Sequence, residues 1–283
     1  MEVREKQKIK EALDAFIRVK GSQNKAANAL KGISPATVSQ IMNGNWELIS
    51  DEMWRGLAAQ LNLKNKTWHI VETTNFKDLT EMFADAQDNS LVMAITGDAG
   101  CGKTAAAKHY QESNANVFIL CCNEFWNRKL FMQELLREMG RNPAGDTVGD
   151  MMADIVSTLK RLDSPIIIMD EADKLSDQVF YFFITLYNQL EDHCGIILMA
   201  TDYLEKKVSK GLRLNKKGYK EIFSRIGRRF VRLQSTSQQD IIEVCMANGL
   251  TERSDIKAVI DNSDDDLRRV RRKVFAINKK NAR

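Results

Sequence analysis

The chain has 283 residues, enough for two or three domains, and its 43% hydrophobic and 28% charged content is that of a chain folding around buried cores. A formal net charge of +4 is too small to imply a polyanionic partner, so that argument must rest on where the cations cluster. The charged first 30 residues hold no apolar leader, no stretch is apolar over a membrane-spanning length, and five cysteines lack C-x-x-C spacing; a cytoplasmic protein with free thiols, no zinc framework and no membrane partner is expected.

Residues 1–63 read as an all-α module. Ile9, Leu13, Phe16 and Ile17 share one face of a first helix. A second helix runs from Gln23 to Leu30 with Ala26 and Ala27 in its apolar stripe. Lys31-Gly32-Ile33-Ser34 forms a tight turn, and a third helix runs from Pro35 to Gly44, with Ser34 as N-cap, proline at its first position and glycine as its stop. Val38 and Ile41 are expected inward; Thr37, Ser39, Gln40 and Asn43 are expected outward. Small polar side chains on an exposed helix suit a DNA major groove. The layout resembles the helix-turn-helix of phage repressors, which implies DNA contact by those four residues. A helical protein-interaction domain is the competing reading. The polar stretch 64–75 reads as a linker.

From 76 to 234, helical patterns alternate with the short apolar runs Leu91–Thr96, Val117–Leu120, Pro165–Asp170, Gly195–Ala200 and Phe230–Leu233. Such alternation predicts an α/β domain with a parallel five-stranded sheet covered on both faces. Gly97-Asp98-Ala99-Gly100-Cys101-Gly102-Lys103-Thr104 matches G-x-x-x-x-G-K-[ST] between the first run and a helix opening at Ala105. Gly97 to Ala105 is therefore expected to hold the phosphates of ATP on backbone N–H groups and a helix N-terminus, with Lys103 on the β- and γ-phosphates and the Thr104 hydroxyl on Mg²⁺. The run ending in Asp170-Glu171-Ala172-Asp173 places acids at the carboxyl end of a buried strand, the ligand edge of an open sheet. Asp170 is expected to orient Mg²⁺ and Glu171 to polarise the attacking water as general base. No N-K-x-D base-reading motif is present, which disfavours a GTPase. From Ser235 to 283 only helical signals remain: Ser237 with Asp240, and Ser263 with Asp266, mark two helix starts of a small helical lid with a basic tail.

With these two motifs in place, the order of parts resembles an AAA+ P-loop ATPase. The resemblance implies that Thr201, ending the strand Gly195–Ala200, acts as sensor 1 on the γ-phosphate or the water, although many members carry Asn there. It implies an arginine finger reaching a neighbouring subunit's ATP from Phe223-Ser224-Arg225-Ile226-Gly227-Arg228, with Arg225 the first choice and Arg228 the second. Arg268, after Asp266-Leu267, is similar to the sensor 2 arginine. Lys206 to Lys220 holds seven Lys or Arg and no acid, and Arg128 and Lys129 follow the second strand. In DNA-encircling AAA+ proteins such elements line a channel, which implies phosphate contacts from Arg128, Lys129, Lys206, Lys207 and Lys210. The basic tail, Arg268 to Arg283, adds eight more cations without an acid.

A repressor-like module before an AAA+ core and a short basic lid resembles the transposition ATPases typified by the phage Mu B protein, with TnsC-type and IstB-type ATPases as relatives of the core. That resemblance implies ATP-dependent polymerisation into a filament or ring on double-stranded DNA, delivery of target DNA to a DDE-type transposase, and DNA-stimulated hydrolysis of ATP to ADP and phosphate. A helicase loader and an ATP-regulated helix-turn-helix repressor are the alternatives.

Overall fold

A computed structural model describes residues 3–30, 32–61, 68–143 and 145–281. Lys31, residues 64–67 of the expected linker and Arg283 lie outside the described residues. The chain divides into two compact units, 1–68 and 69–283.

The first unit contains α1 (Val3–Lys20), α2 (Gln23–Asn28), α3 (Pro35–Met42), a 3-10 turn at Trp46–Leu48 and α4 (Asp51–Gln60). Ile9, Leu13, Ala27, Val38, Ile41 and Leu57 pack around Trp54, which is fully buried and meets Trp46 edge to face with ring centroids 5.7 Å apart. α2 is one and a half turns long and would not hold alone in water; this shared core maintains it. Ser34 caps α3, its Oγ accepting from the Thr37 N–H at 3.1 Å, and Pro35 presets the first turn. The cap corrects one expectation. Thr37 does not point outward: it is buried, and its hydroxyl is 2.9 Å from Ser34 Oγ. Ser39 and Gln40 are half-buried and Asn43 is exposed, its amide donating to Ser39 Oγ.

The second unit opens with α5 (Thr74–Asp88), β1 (Val92–Thr96), α6 (Lys103–Ser113), β2 (Val117–Cys121), α7 (Arg128–Glu138), α8 (Val148–Leu159) and β3 (Ile166–Asp170). It continues through α9 (Asp177–Leu190), β4 (Gly195–Ala200), α10 (Tyr203–Arg213), α11 (Tyr219–Arg225), β5 (Val231–Arg232), α12 (Gln238–Ala247), α13 (Arg253–Ile260) and α14 (Leu267–Asn281). The sheet is parallel throughout, in the order β2-β3-β4-β1-β5. Alternation along β3 sends Ile167 and Met169 to one core, with Phe131, Ile155 and Phe180, and Ile166 and Ile168 to the other, with Leu79, Phe83 and Ala107. Every residue of β3 and β4 is buried, which is why both read as unbroken apolar runs. At Gly195 an added Cβ would lie 2.3 Å from the Ala86 carbonyl, so glycine is what lets α5 end against the start of β4.

Several boundaries differ from the sequence reading. The last strand is only Val231–Arg232, shorter than the run 230–233. The basic stretch 206–220 runs through α10, the turn after it and the start of α11, locked where Tyr219 fills the space that a Cβ on Gly211 would need. Ser263 does not cap the last helix: it is buried and donates to the Ile260 carbonyl, while Asp266 takes that place by accepting from the Arg268 N–H at 2.7 Å. The described end of the expected linker is not free either. His69 exchanges hydrogen bonds with Asn248 at 2.9 and 3.0 Å, and α5 begins at Thr74. No helix of the described residues is long and apolar enough to cross a membrane.

Candidate functional site

The loop from β1 to α6 lies at the carboxyl edge of the sheet, where a parallel fold presents helix N-termini. Gly100 and Gly102 adopt left-handed φ values of +82° and +101°, conformations that glycine enters without strain. Lys103 Nζ bends back onto the loop, donating to the carbonyls of Gly97 at 2.7 Å and Asp98 at 3.0 Å. Cys101 is buried with its sulfur 3.5 Å from that ammonium, whereas Asp98, Ala99 and Ala105 are exposed. The Thr104 hydroxyl, in the first turn of α6, donates to Asp170 Oδ2 at 2.5 Å across the intervening β4.

Asp170 is 3% exposed, and its second carboxylate oxygen accepts from the Glu171 N–H at 2.9 Å. Glu171 itself has a φ of +56°, a strained setting for a residue with a Cβ. Its carboxylate pairs with Lys174 Nζ at 2.6 Å and receives the Cys121 thiol at 3.8 Å. Burial, and then the charge of Glu171, push the Cys121 thiol above its ordinary range. Burial also lifts the Asp173 carboxyl, which accepts from the Thr201 hydroxyl at 3.5 Å. Expected site residues from β1, α6, β3 and the end of β4 thus gather along one edge. An anion cradle, one ammonium, a hydroxyl–carboxylate pair and a second carboxylate can hold a polyphosphate and draw a proton from water. Hard oxygens of Thr104 and Asp170, already in contact, are the donor chemistry that Mg²⁺ takes.

One participant was legible in the sequence only as part of a helix start. Asp266 lies against the glycine loop: a Cβ on Gly100 would fall 1.9 Å from its Oδ1, and the Leu267 N–H donates to the Gly100 carbonyl at 3.0 Å. In the sequence Asp266 marks a helix start, and only the tertiary fold brings it to the loop. Arg268, two residues on, is exposed.

The other expected cations divide. Arg225 stacks on the Tyr187 ring at 4.9 Å and donates to Asn188 Oδ1, while its Nε is buried without a partner. It borders a cavity of ≈ 380 Å³ at the opposite edge of the sheet, with Leu91, Asp192 and Arg229. Arg228, at a φ of +57°, and Arg229 are exposed. Arg128, Lys129 and Lys210 are exposed, as is Lys206, which pairs with Asp202. Lys207 corrects the channel-lining expectation. Its ammonium donates to the carbonyls of Asp173 and Leu175 over the Phe180 ring, and burial lowers its pKa, so it braces the acidic turn rather than facing solvent.

Residues 84–208 match the family described as AAA domain. The chain is 26% identical over 238 residues to the ATP-dependent target DNA activator B of Escherichia phage Mu, spanning 81% of this chain and 69% of that protein. The activator of the same name from Escherichia phage D108 gives the same figures. The Mu-like prophage FluMu DNA transposition protein B of Haemophilus influenzae is 23% identical over 227 residues, 77% of each chain.

Proposed function

We propose, from the premise that the chain is a Mu B-like AAA+ protein, that it is an ATPase which polymerises on double-stranded DNA with little sequence preference, delivers that target DNA to a DDE-type transposase and stimulates transposition. The observation that carries the ATPase half is the Thr104–Asp170 hydrogen bond, which joins the glycine loop to the acidic strand end. The DNA half rests on the names of the relatives, target DNA activator and transposition protein.

In this reading Lys103 leaves the Gly97 and Asp98 carbonyls for the β- and γ-phosphates, exchanging two neutral acceptors for anionic ones. Thr104 and Asp170 hold Mg²⁺, which when bound neutralises charge on the phosphates. Glu171 takes the proton of the attacking water, a role its left-handed backbone and outward carboxylate allow, and Thr201 orients that water or the γ-phosphate. Arg268 approaches from α14 of the same subunit. A finger from the neighbouring subunit, Arg225 or Arg228, makes ATP the bond between protomers. The helices α2 and α3 act as a helix-turn-helix, with Ser39, Gln40 and Asn43 as its polar face, and α12 to α14 act as the lid. Such a protein works in the cytoplasm of a bacterial or phage-infected cell.

Electron microscopy with duplex DNA and a slowly hydrolysed ATP analogue tests the assembly. Filaments or rings are expected with the analogue and not with ADP; monomers persisting on every substrate would refute it. Arg225→Ala should abolish assembly while sparing nucleotide binding. If that variant assembles normally and Arg228→Ala does not, the finger is Arg228, which needs no release from Tyr187.

A further inference from the structure

Phe125 is 79% exposed, more than any other large apolar side chain among the described residues. The loop is built to hold it there. Cys122 N–H donates to the Asp170 carbonyl at 2.8 Å, Phe125 N–H to Asn123 Oδ1 at 3.0 Å and Trp126 N–H to the Asn123 carbonyl at 3.1 Å. Trp126 turns inward, its ring 6.3 Å from buried Phe131 in an edge-on contact. Of two adjacent aromatics, one anchors the loop and the other faces water.

The cations beside it are also oddly placed. Asn127 caps α7, and Arg128 and Lys129 follow as its first residues, at the positive end of the helix dipole where cations are disfavoured. Neither forms an ion pair among the described residues. Glu124 stands next to Phe125 and repels a phosphate at the loop tip itself. An exposed ring flanked by two unpaired cations on one side and an acid on the other fits a duplex whose phosphates lie toward α7 and whose bases face the ring. The loop also springs from the nucleotide edge, since the Cys121 thiol meets Glu171.

We propose that Phe125 is an apolar wedge that packs against base steps of duplex DNA while Arg128 and Lys129 hold the adjacent phosphates. This rests on the DNA-binding reading above. Side chains of this kind unstack the step they enter, and the contact is insensitive to salt because it displaces no counterions.

The test measures binding of a duplex containing 2-aminopurine across a range of salt, with the slowly hydrolysed ATP analogue and the full chain. Phe125→Ala should weaken binding about ten-fold with the log–log salt slope unchanged, and should lose the rise in 2-aminopurine fluorescence that the wild type gives. Phe125→Leu should keep most of the affinity. Arg128→Ala with Lys129→Ala should instead flatten the slope by about 0.9 per cation. Phe125 is exposed, so its variants should melt like the wild type. Wild-type affinity for Phe125→Ala, or a loss accompanied by a flatter slope, would overturn the wedge. Failure of the wild type itself to bind duplex would instead refute the DNA-binding reading on which the wedge depends.

Discussion

At the scale of single residues, the acids that end β3 are held differently: Asp170 is buried between the Thr104 hydroxyl and the Glu171 N–H, while the Glu171 carboxylate pairs with Lys174 at the surface. Gly97 to Thr104 and Asp170-Glu171 could be picked out because each is a short string whose spacing is set by the ligand it suits. Whether a side chain faced out was less legible. Thr37 sits where helix periodicity points to solvent, but a threonine at the third position of a serine-capped helix closes on the cap instead. Lys207 is one of seven cations in the acid-free stretch 206–220, yet one turn of α10 aims it at two carbonyls behind the acidic turn. The role proposed for Glu171 makes a sharp prediction. Glu171→Gln should bind ATP with unchanged affinity and lose roughly 10² or more in kcat, measured by phosphate release. An activity within a few-fold of wild type would assign the base elsewhere, Asp173 being next.

Among the elements, the strands were readable because β3 and β4 are buried on both faces and carry no polar interruption. The junctions were not, because they depend on side chains far apart in sequence. Asp240 caps α12 through Ser237, but it also accepts from the Thr74 N–H at 2.8 Å and from the Thr74 hydroxyl, joining the starts of α12 and α5. Burial alone would raise its pKa, yet the hydrogen bonds from Thr74 and Ser237 outweigh it and hold the carboxyl below its usual range. Its stability contribution is therefore present above the unfolded carboxylate pKa and lost as pH falls through the lowered one. Asp240→Ala should cost roughly 2 kcal/mol at pH 7 in denaturant titration, with the difference from wild type narrowing in acid. A gap unchanged at low pH would remove the charge from the explanation. The contact of α14 with the glycine loop gives another test. Replacing Asp266 by Asn keeps the oxygen that accepts from Arg268 but removes a negative charge beside Gly100, and nucleotide affinity should rise about ten-fold. A fall would mean that the carboxylate aids binding.

Taken whole, the molecule joins a small helical unit to a larger α/β unit that also contains the C-terminal helices. The α/β character could be read from the alternation of apolar runs with helical patterns. The sheet order could not, because parallel strands of similar hydrophobicity carry no label for their neighbours. Nor could the contact of α14 with the glycine loop, where the Leu267 N–H donates to the Gly100 carbonyl across most of the chain. The proposed function gives the two units separate parts, sequence-independent DNA binding to the α/β unit and a polar helix face to the other. The rate of ATP hydrolysis with and without nonspecific duplex DNA decides whether the chain couples nucleotide to DNA. Strong stimulation by duplex of any sequence is expected; a rate indifferent to DNA, or raised only by one particular sequence, would rule the transposition reading out.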